Sequence, residues 1–533
     1  MVSETSKQEF LQRVSKLRIN PDALDEVRVR LPLGPTAHSV HKVVNSPQTK
    51  NSLAIYANAT SNDGYITPES AERALEIYGD DLLIEAADNR GQHPNIDVLA
   101  DIIERDEKTR SDVIRRESAK PIPQHIRDAI SNISEHYQGP FHIYDADGIG
   151  QTMGEFNETF SWVPGGFRNY FAIKALPNRK VIKHLTKYKA GADCSSMAEL
   201  LLSKQVGLSG EKIMFTSNDT PPNEFKMARQ LEAIINLDDI THIERLIEVV
   251  GKDNLPEIIC FRYNPGPLKS GTEIIGDPRE AKYGLTTEQI PEAYRIMREL
   301  GVKRFGLHTM VVSNMLDEEY LIDTGKMVFK LGASLQRGLG IKFEFFNLGG
   351  GVGTPYKPEQ VAVDLNKVSQ GIKEAYFGEG FGVEGNSPRV VMECGRAITG
   401  PHGYLVSTVQ HVTSKYKEFV GLDASMANLM RPGMYGAYHH ITVLGKEDSP
   451  KDCVYDVTGS LCENNDKFAV NRALPLIERG NRVVIFNTGA HGTAMCFQYN
   501  GKLRCAEFMA DKNGNVEMVR RGETIHDYFA TQL

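Results

Sequence analysis

Residues 169–174 read Asn169-Tyr170-Phe171-Ala172-Ile173-Lys174, a short apolar run that ends on a lysine. Runs of the same texture recur downstream: Lys212-Ile213-Met214-Phe215-Thr216, Ala233-Ile234-Ile235-Asn236 and Glu257-Ile258-Ile259-Cys260-Phe261-Arg262. Arg304-Phe305-Gly306-Leu307-His308, Glu344-Phe345-Phe346-Asn347-Leu348 and Arg389-Val390-Val391-Met392-Glu393 complete the series, and Phe141-His142-Ile143-Tyr144 precedes it. Helical segments such as Ala198 to Leu201 and Glu288 to Leu300 lie between them. Strands alternating with helices at a spacing of roughly 20–45 residues imply βαβ units and a parallel sheet. About eight such units in about 230 residues fit a TIM-type (β/α)8 barrel better than an open sheet.

Outward from this block the texture changes on both sides. Residues 1–125 are polar and charged, and the spacing predicts a mainly helical N-terminal extension. Pro68-Glu69-Ser70-Ala71-Glu72 opens one helix there, and Ile96 to Ile103 reads as an amphipathic one. Residues 126–165 hold a lead-in strand and helix, and 166–400 the barrel. Residues 401–533 read as a β-rich C-terminal domain, with strands expected at Gly403 to Val409, Cys453 to Val457, Arg482 to Phe486 and Asn515 to Val519.

Composition narrows the function classes. The 533 residues exceed one typical domain, and 41% hydrophobic with 24% charged residues is globular usage. A net charge of −8 argues against nucleic acid or an anionic membrane as partner. The chain has no apolar run long enough for a spanning helix, and the start MVSETSKQEF has no apolar core of a secretory signal. Seven scattered cysteines without a CxxC pair exclude a disulfide framework and a structural zinc site. A reducing, cytoplasmic location and no metal are expected.

Barrel enzymes carry their chemistry at the C-terminal ends of strands. Lys174 is at such an end, where an amine can act as a nucleophile and form a Schiff base. A snorkelling surface lysine is the competing reading of that residue alone. Asn347-Leu348-Gly349-Gly350-Gly351-Val352-Gly353 follows a later strand, and consecutive glycines let backbone N–H groups approach a phosphate. Glu393-Cys394-Gly395-Arg396 ends the next strand. Its carboxylate could hold a protonated pyridine nitrogen, or it could form a structural Glu–Arg pair. Cys462 is set among Glu463, Asn464, Asn465 and Asp466, too polar a setting for the buried hydrophobe that a free cysteine usually is.

Together with Gly191 to Ser196, Asp423 to Tyr438 and Gly459 to Phe468, these ordered motifs resemble those of the fold type III PLP-dependent amino-acid decarboxylases, which share an alanine racemase-like barrel. The diaminopimelate decarboxylases are the most similar. The resemblance covers about residue 135 to the C-terminus. It implies pyridoxal 5'-phosphate on Lys174, with Gly350, Gly351, Gly395, Arg396 and Ser313 at the phosphate and substrate mouth. Glu393 would bond the ring nitrogen, and Arg262 would sit near the cofactor's phenolic oxygen. Arg396, Arg431 and Tyr435 would hold a distal carboxylate and Glu463 a distal amine. Cys462, entering with Glu463 from a second subunit of a homodimer, would supply a proton.

Two positions depart from the family pattern. The histidine that normally stacks on the cofactor is Met310, and His308, two residues away on the same side of the strand, substitutes in part. A tyrosine near the C-terminus is His491, which can still donate to the phosphate with a pH-dependent charge. The implied reaction is decarboxylation of meso-2,6-diaminopimelate to L-lysine and carbon dioxide, the last step of lysine biosynthesis. The alternatives are another basic amino acid (ornithine, arginine or D-lysine) as substrate, or a non-catalytic regulatory binding protein. Lys174 and Cys462 argue against the latter.

Overall fold

The computed structural model describes residues 4–32, 38–61, 65–89, 91–115, 121–269 and 278–533. The N-terminal region carries helices at Glu4–Ser15, Lys50–Ala59, Pro68–Tyr78, Asp80–Asp88 and Pro94–Arg105, two of them where the sequence predicts. It also holds a four-stranded sheet that the sequence reading did not include. Strands β1 (Leu24–Pro32), β2 (His38–Val44), β3 (Tyr65–Ile66) and β4 (Thr109–Arg115) lie in the order β2-β1-β4-β3. Leu24, Val27 and Val29 of β1 are fully buried in a core of this region's own, together with Leu53, Tyr56 and Leu99.

The next strand, β5 (Phe141–Asp145), lies outside the barrel. It pairs antiparallel with the first C-terminal strand, Gly403–Ser414, and parallel with Ala506–Ala510. The barrel then closes in sequence order: β6 (Phe167–Ala172), β7 (Gly191–Cys194), β8 (Ile213–Ser217), β9 (Ile234–Leu237), β10 (Ile258–Tyr263), β11 (Arg304–Thr309), β12 (Phe343–Asn347) and β13 (Arg389–Met392). Gly191–Cys194 is the barrel strand that no apolar run announces, being four residues long with a glycine and an aspartate among them. Tyr170, Met214, Ile234, Ile258, Cys260, Phe345 and Val391 fill the barrel interior. The alternate residues, such as Phe171, Phe215, Ile259 and Phe346, face the surrounding helices, as expected for strands buried on both faces.

The remaining chain forms the β-rich domain, a nine-stranded sheet that takes in β5. All four predicted C-terminal strands are present, at Gly403–Ser414, Cys453–Thr458, Arg482–Ile485 and Val516–Arg520. Among the described residues no helix is long and apolar enough to cross a membrane. All seven cysteines are free.

Candidate active site

Barrel register assembles the centre of the site. Arg262 at the end of β10 pairs with His308 of β11, which pairs with Asn347 of β12, so three polar side chains form one row at the strand ends. On the other side Ala172 pairs with Asp193. Beyond Ala172 a single 3-10 turn, Ile173–Ala175, buries its two apolar residues and turns Lys174 outward. Lys174 faces a cavity of about 1120 Å³ shared with Asp193, Arg262, His308, Glu393 and Arg396. It is therefore a cavity lysine and not a surface one.

At the inner end, Glu393 and Arg262 each meet another protein group. Asn347 donates from Nδ2 to Glu393 Oε1 at 2.7 Å, and His308 Nε2 lies 3.2 Å from Oε2, off the line of a hydrogen bond. Burial would raise the Glu393 carboxyl, but the His308 charge, Asn347 and Lys174 hold it below the ordinary carboxylate range. The Asn236 side-chain amide lies within hydrogen-bond distance of His308 Nδ1. Burial, then the Glu393 charge, push Asp193 well above its ordinary value. Arg262 is pinned by Asp238 at 3.0 Å and by the Met310 carbonyl at 3.2 Å. Glu393 and Arg396 do not pair with each other, so the structural Glu–Arg reading falls away.

The glycine loop after β12 packs against neighbouring strand ends. Gly351 has φ +93° and a Cβ there would stand 2.7 Å from the Val312 carbonyl, so only glycine fits. A Cβ on Gly350 would stand 2.7 Å from the Glu393 carbonyl. Gly395 opens the short helix Arg396–Thr399 against Ala175. Met310 points its sulfur at this loop and takes the Gly350 N–H at 3.1 Å. The His491 N–H donates to the Ala175 carbonyl at 2.8 Å. Burial, then the charges of Arg396, Arg431 and Lys174, drive its imidazole well below its ordinary value, so it faces the cavity neutral rather than with a pH-dependent charge.

The outer end is built differently. Arg396 donates from Nη1 to the Tyr356 hydroxyl at 3.1 Å, with Ser313 Oγ at 3.5 Å from Nη2. The Arg431 guanidinium lies 4.4 Å from the Tyr356 ring centroid, and its Nη1 is 2.9 Å from His439 Nε2. His439 Nδ1 sits 2.7 Å from the Phe486 carbonyl, which only an N–H can satisfy, so Nε2 is the acceptor for Arg431. Burial, then the Arg431 charge, keep His439 neutral. Burial would raise the Tyr356 phenol, yet Arg431 and Arg396 bring it below its ordinary value. Arg431 is only 5% exposed, and among the described residues neither arginine pairs with a carboxylate. Tyr435, one helical turn on, also lines the cavity.

Cys462 and Glu463 are not brought to this cavity. They lie on an exposed loop whose Asp466 accepts the N–H groups of Met426 and Leu461, and Cys462 N–H donates to Asn500 Oδ1 at 2.7 Å. Sequence reasoning missed Asp193, Asn236, Tyr356 and His439. Asp193 lay in the quoted motif at Gly191 to Ser196, and Tyr356 sits three residues past the glycine run. His439 had no local signal.

The buried polar atoms test whether a cofactor fits. Asp193 Oδ1 and Asn236 Oδ1 are buried without a hydrogen-bond partner, and His308 Nε2 lacks one in good geometry. Buried polar groups are seldom left so. Unmet acceptors and a donor beside an amine and an ionised carboxylate fit a polar aromatic aldehyde such as pyridoxal phosphate.

Residues 149–400 match the family model described as the pyridoxal binding domain of pyridoxal-dependent decarboxylases. Residues 20–113 match a second model, described only as an uncharacterized protein conserved in bacteria. Protein TabA of Pseudomonas amygdali pv. tabaci is 42% identical over 399 residues, 75% of this chain and 92% of that protein. Diaminopimelate decarboxylase of Methanothermobacter thermautotrophicus is 30% identical over 413 residues, 76% of this chain and 94% of that protein. The crystal structure of Helicobacter pylori diaminopimelate decarboxylase complexed with L-lysine superposes with a TM-score of 0.67 at 26% identity, covering 75% of this chain and 98% of that one.

Proposed function

The chain belongs to the pyridoxal-dependent decarboxylases, and from that premise we propose that it converts meso-2,6-diaminopimelate to L-lysine and carbon dioxide. It is a carboxy-lyase that acts on an amino acid with pyridoxal phosphate as cofactor. One observation carries the substrate assignment. Arg396 and Arg431 flank the buried Tyr356 without a carboxylate partner among the described residues. A buried charge is stable only when paired, and a planar guanidinium pairs best with a carboxylate. Ornithine, arginine and D-lysine have no distal carboxylate to offer.

When bound, the cofactor supplies the electron sink for loss of carbon dioxide. The rest of the chemistry falls to the chain's own residues. Lys174 would hold the cofactor through its aldehyde group. Glu393, kept ionised, would hold a proton on the ring nitrogen, with His308 Nε2 at 3.2 Å from the same carboxylate. The loop at Gly350 and Gly351, with Gly395, Ser313 and neutral His491, would receive the phosphate, and Arg262 would face the cofactor's phenolic oxygen. Arg396, Arg431 and Tyr435 would fix the distal carboxylate. Cys462 would deliver the proton that replaces the lost carboxylate, and Glu463 would bind the distal amine.

Cys462 and Glu463 stand on an exposed loop away from their own cavity, which supports a homodimer in which each loop enters the other subunit's site. Seven free cysteines support a reducing, cytoplasmic setting. Carbon dioxide release from meso-diaminopimelate, D-lysine, L-lysine, ornithine and arginine tests the assignment. Release from meso-diaminopimelate above all the others is expected. Equal or faster release from a diamine acid would overturn it.

A further inference from the structure

The cavity that holds Lys174 is not enclosed by the barrel and the β-rich domain alone. Ile19, Asn58, Thr67, Ser70 and Arg73 of the N-terminal region line it as well. That region has its own sheet and core. It is clamped to the barrel rim beside the site. Ile19 bridges Gln360, the Val361 N–H donates to the Arg18 carbonyl at 3.2 Å, and Asn20 N–H donates to the Glu359 carbonyl. Arg18 pairs with Glu318, a side chain buried under the rim, and donates to the Ala362 carbonyl. Arg18 is held at φ +52°, a conformation that a non-glycine residue keeps only when its surroundings fix it.

Two helices present their ends to the cavity. Asn58 is exposed near the end of Lys50–Ala59. On Pro68–Tyr78 the hydroxyls of Thr67 and Ser70 are spent on each other's N–H groups in a capping box. Arg73 stands one turn further along the face of Ser70 and is exposed. Its charge adds to a clear imbalance. Arg73, Lys174, Arg262, Lys357, Arg396 and Arg431 line the cavity against Asp193, Glu359 and Glu393, in a chain whose net charge is −8. A cleft of one sign concentrates ligands of the other.

We propose that the N-terminal domain is the roof of the active site, and that Arg73 and Asn58 are specificity-determining residues that receive the anionic outer end of the substrate. The ligand class is an α-amino acid whose far end carries a carboxylate or a larger anion. This rests on the Lys174 cavity being the substrate site, and it adds a wall that neither the barrel nor the β-rich domain supplies.

The test uses the full-length holoenzyme. Hydrogen exchange in residues 67–73 is followed with and without meso-diaminopimelate. Substrate should slow exchange there in the wild type and not in Arg73→Gln. In Arg73→Gln and Asn58→Ala the KM for meso-diaminopimelate should rise about tenfold, the scale of a lost charge-assisted hydrogen bond. The KM for its distal monoamide should change far less. Arg18→Glu, which sets two carboxylates face to face, should unclamp the roof. Borohydride should then bleach the cofactor's visible absorption several times faster, and Arg18→Ala gives the same reading if the reversal fails to fold. No exchange change on binding, equal KM changes for acid and amide, or an unchanged bleaching rate once the Val361 amide exchanges freely would each overturn the roof. A wild type that binds meso-diaminopimelate with slowed exchange at 67–73 but releases no carbon dioxide would refute the decarboxylase reading and leave the roof standing.

Discussion

The two ends of the cavity treat charge in opposite ways. At the inner end the charged groups have protein partners: Glu393 has Asn347 and His308, and Arg262 has Asp238. At the outer end Arg396 and Arg431 share one phenol and a neutral histidine, and neither pairs with a carboxylate among the described residues. A matched set of charges holds its geometry whether or not a ligand is present. An unmatched pair in a buried setting is a receptor for an anion, because the anion relieves a desolvated charge. The inner end thus suits a resident cofactor, and the outer end suits the variable part of a substrate.

Removing the inner nucleophile should have the largest effect. Lys174→Ala should abolish turnover while the fold survives, since Lys174 is the amine that shares the inner end with Asp193 and Glu393; carbon dioxide release and a thermal melt check both halves. Retention of more than a few per cent of activity would remove Lys174 from its assigned role. The outer end should be costly but not absolute. Arg431→Ala should lower kcat/KM for meso-diaminopimelate by about 30- to 4,000-fold, the range for losing one partner of a buried charge pair at about 2–5 kcal/mol. His439→Phe should share part of that loss, because Arg431 would lose its Nε2 acceptor.

A smaller effect tests whether each site is completed by a second chain. Lys174→Ala and Cys462→Ala, mixed under conditions of subunit exchange, should recover about a quarter of wild-type activity, since half of the dimers are mixed and each has one intact site. No recovery despite proven exchange would place Cys462 in its own chain's chemistry or outside it.

Acid tests the buried imidazoles. His142, brought down to about 4 by burial, and His439 and His491, also held low, are neutral in the fold but charge in the unfolded chain. The unfolded state therefore binds more protons once pH drops below about 6.5, and stability should decline from there toward the folded values. Each imidazole contributes up to about 1.4 kcal/mol per pH unit. Denaturant titrations between pH 7 and 5 should show this slope, and His142→Asn should flatten it. A flat profile in the wild type would contradict it.

What could be read from the sequence divides along the same line. Residues whose type the chemistry dictates were legible, because a lysine, a glycine run and an acid at strand ends have few structural uses. Tyr356 and His439 were not, since their role is to hold Arg396 and Arg431 across the fold and neither has a local pattern. Gly191–Cys194 escaped notice as a strand because four residues with a glycine and an aspartate make no apolar run. The N-terminal sheet did leave a trace. Val27 and Val29 alternate with Arg28 and Arg30, a period of two, while the helical signals around them dominated. The roof was illegible for a different reason: Asn58 and Arg73 are ordinary surface residues until the clamp at Arg18 sets them over the barrel.

The most direct test of the outer end compares carbon dioxide release from meso-diaminopimelate and D-lysine by the wild type and by Arg431→Ala, side by side. The two substrates differ by the distal carboxylate alone. The account predicts a strong preference for meso-diaminopimelate in the wild type that collapses toward parity in the variant. A preference that survives unchanged, with both rates falling together, would contradict it.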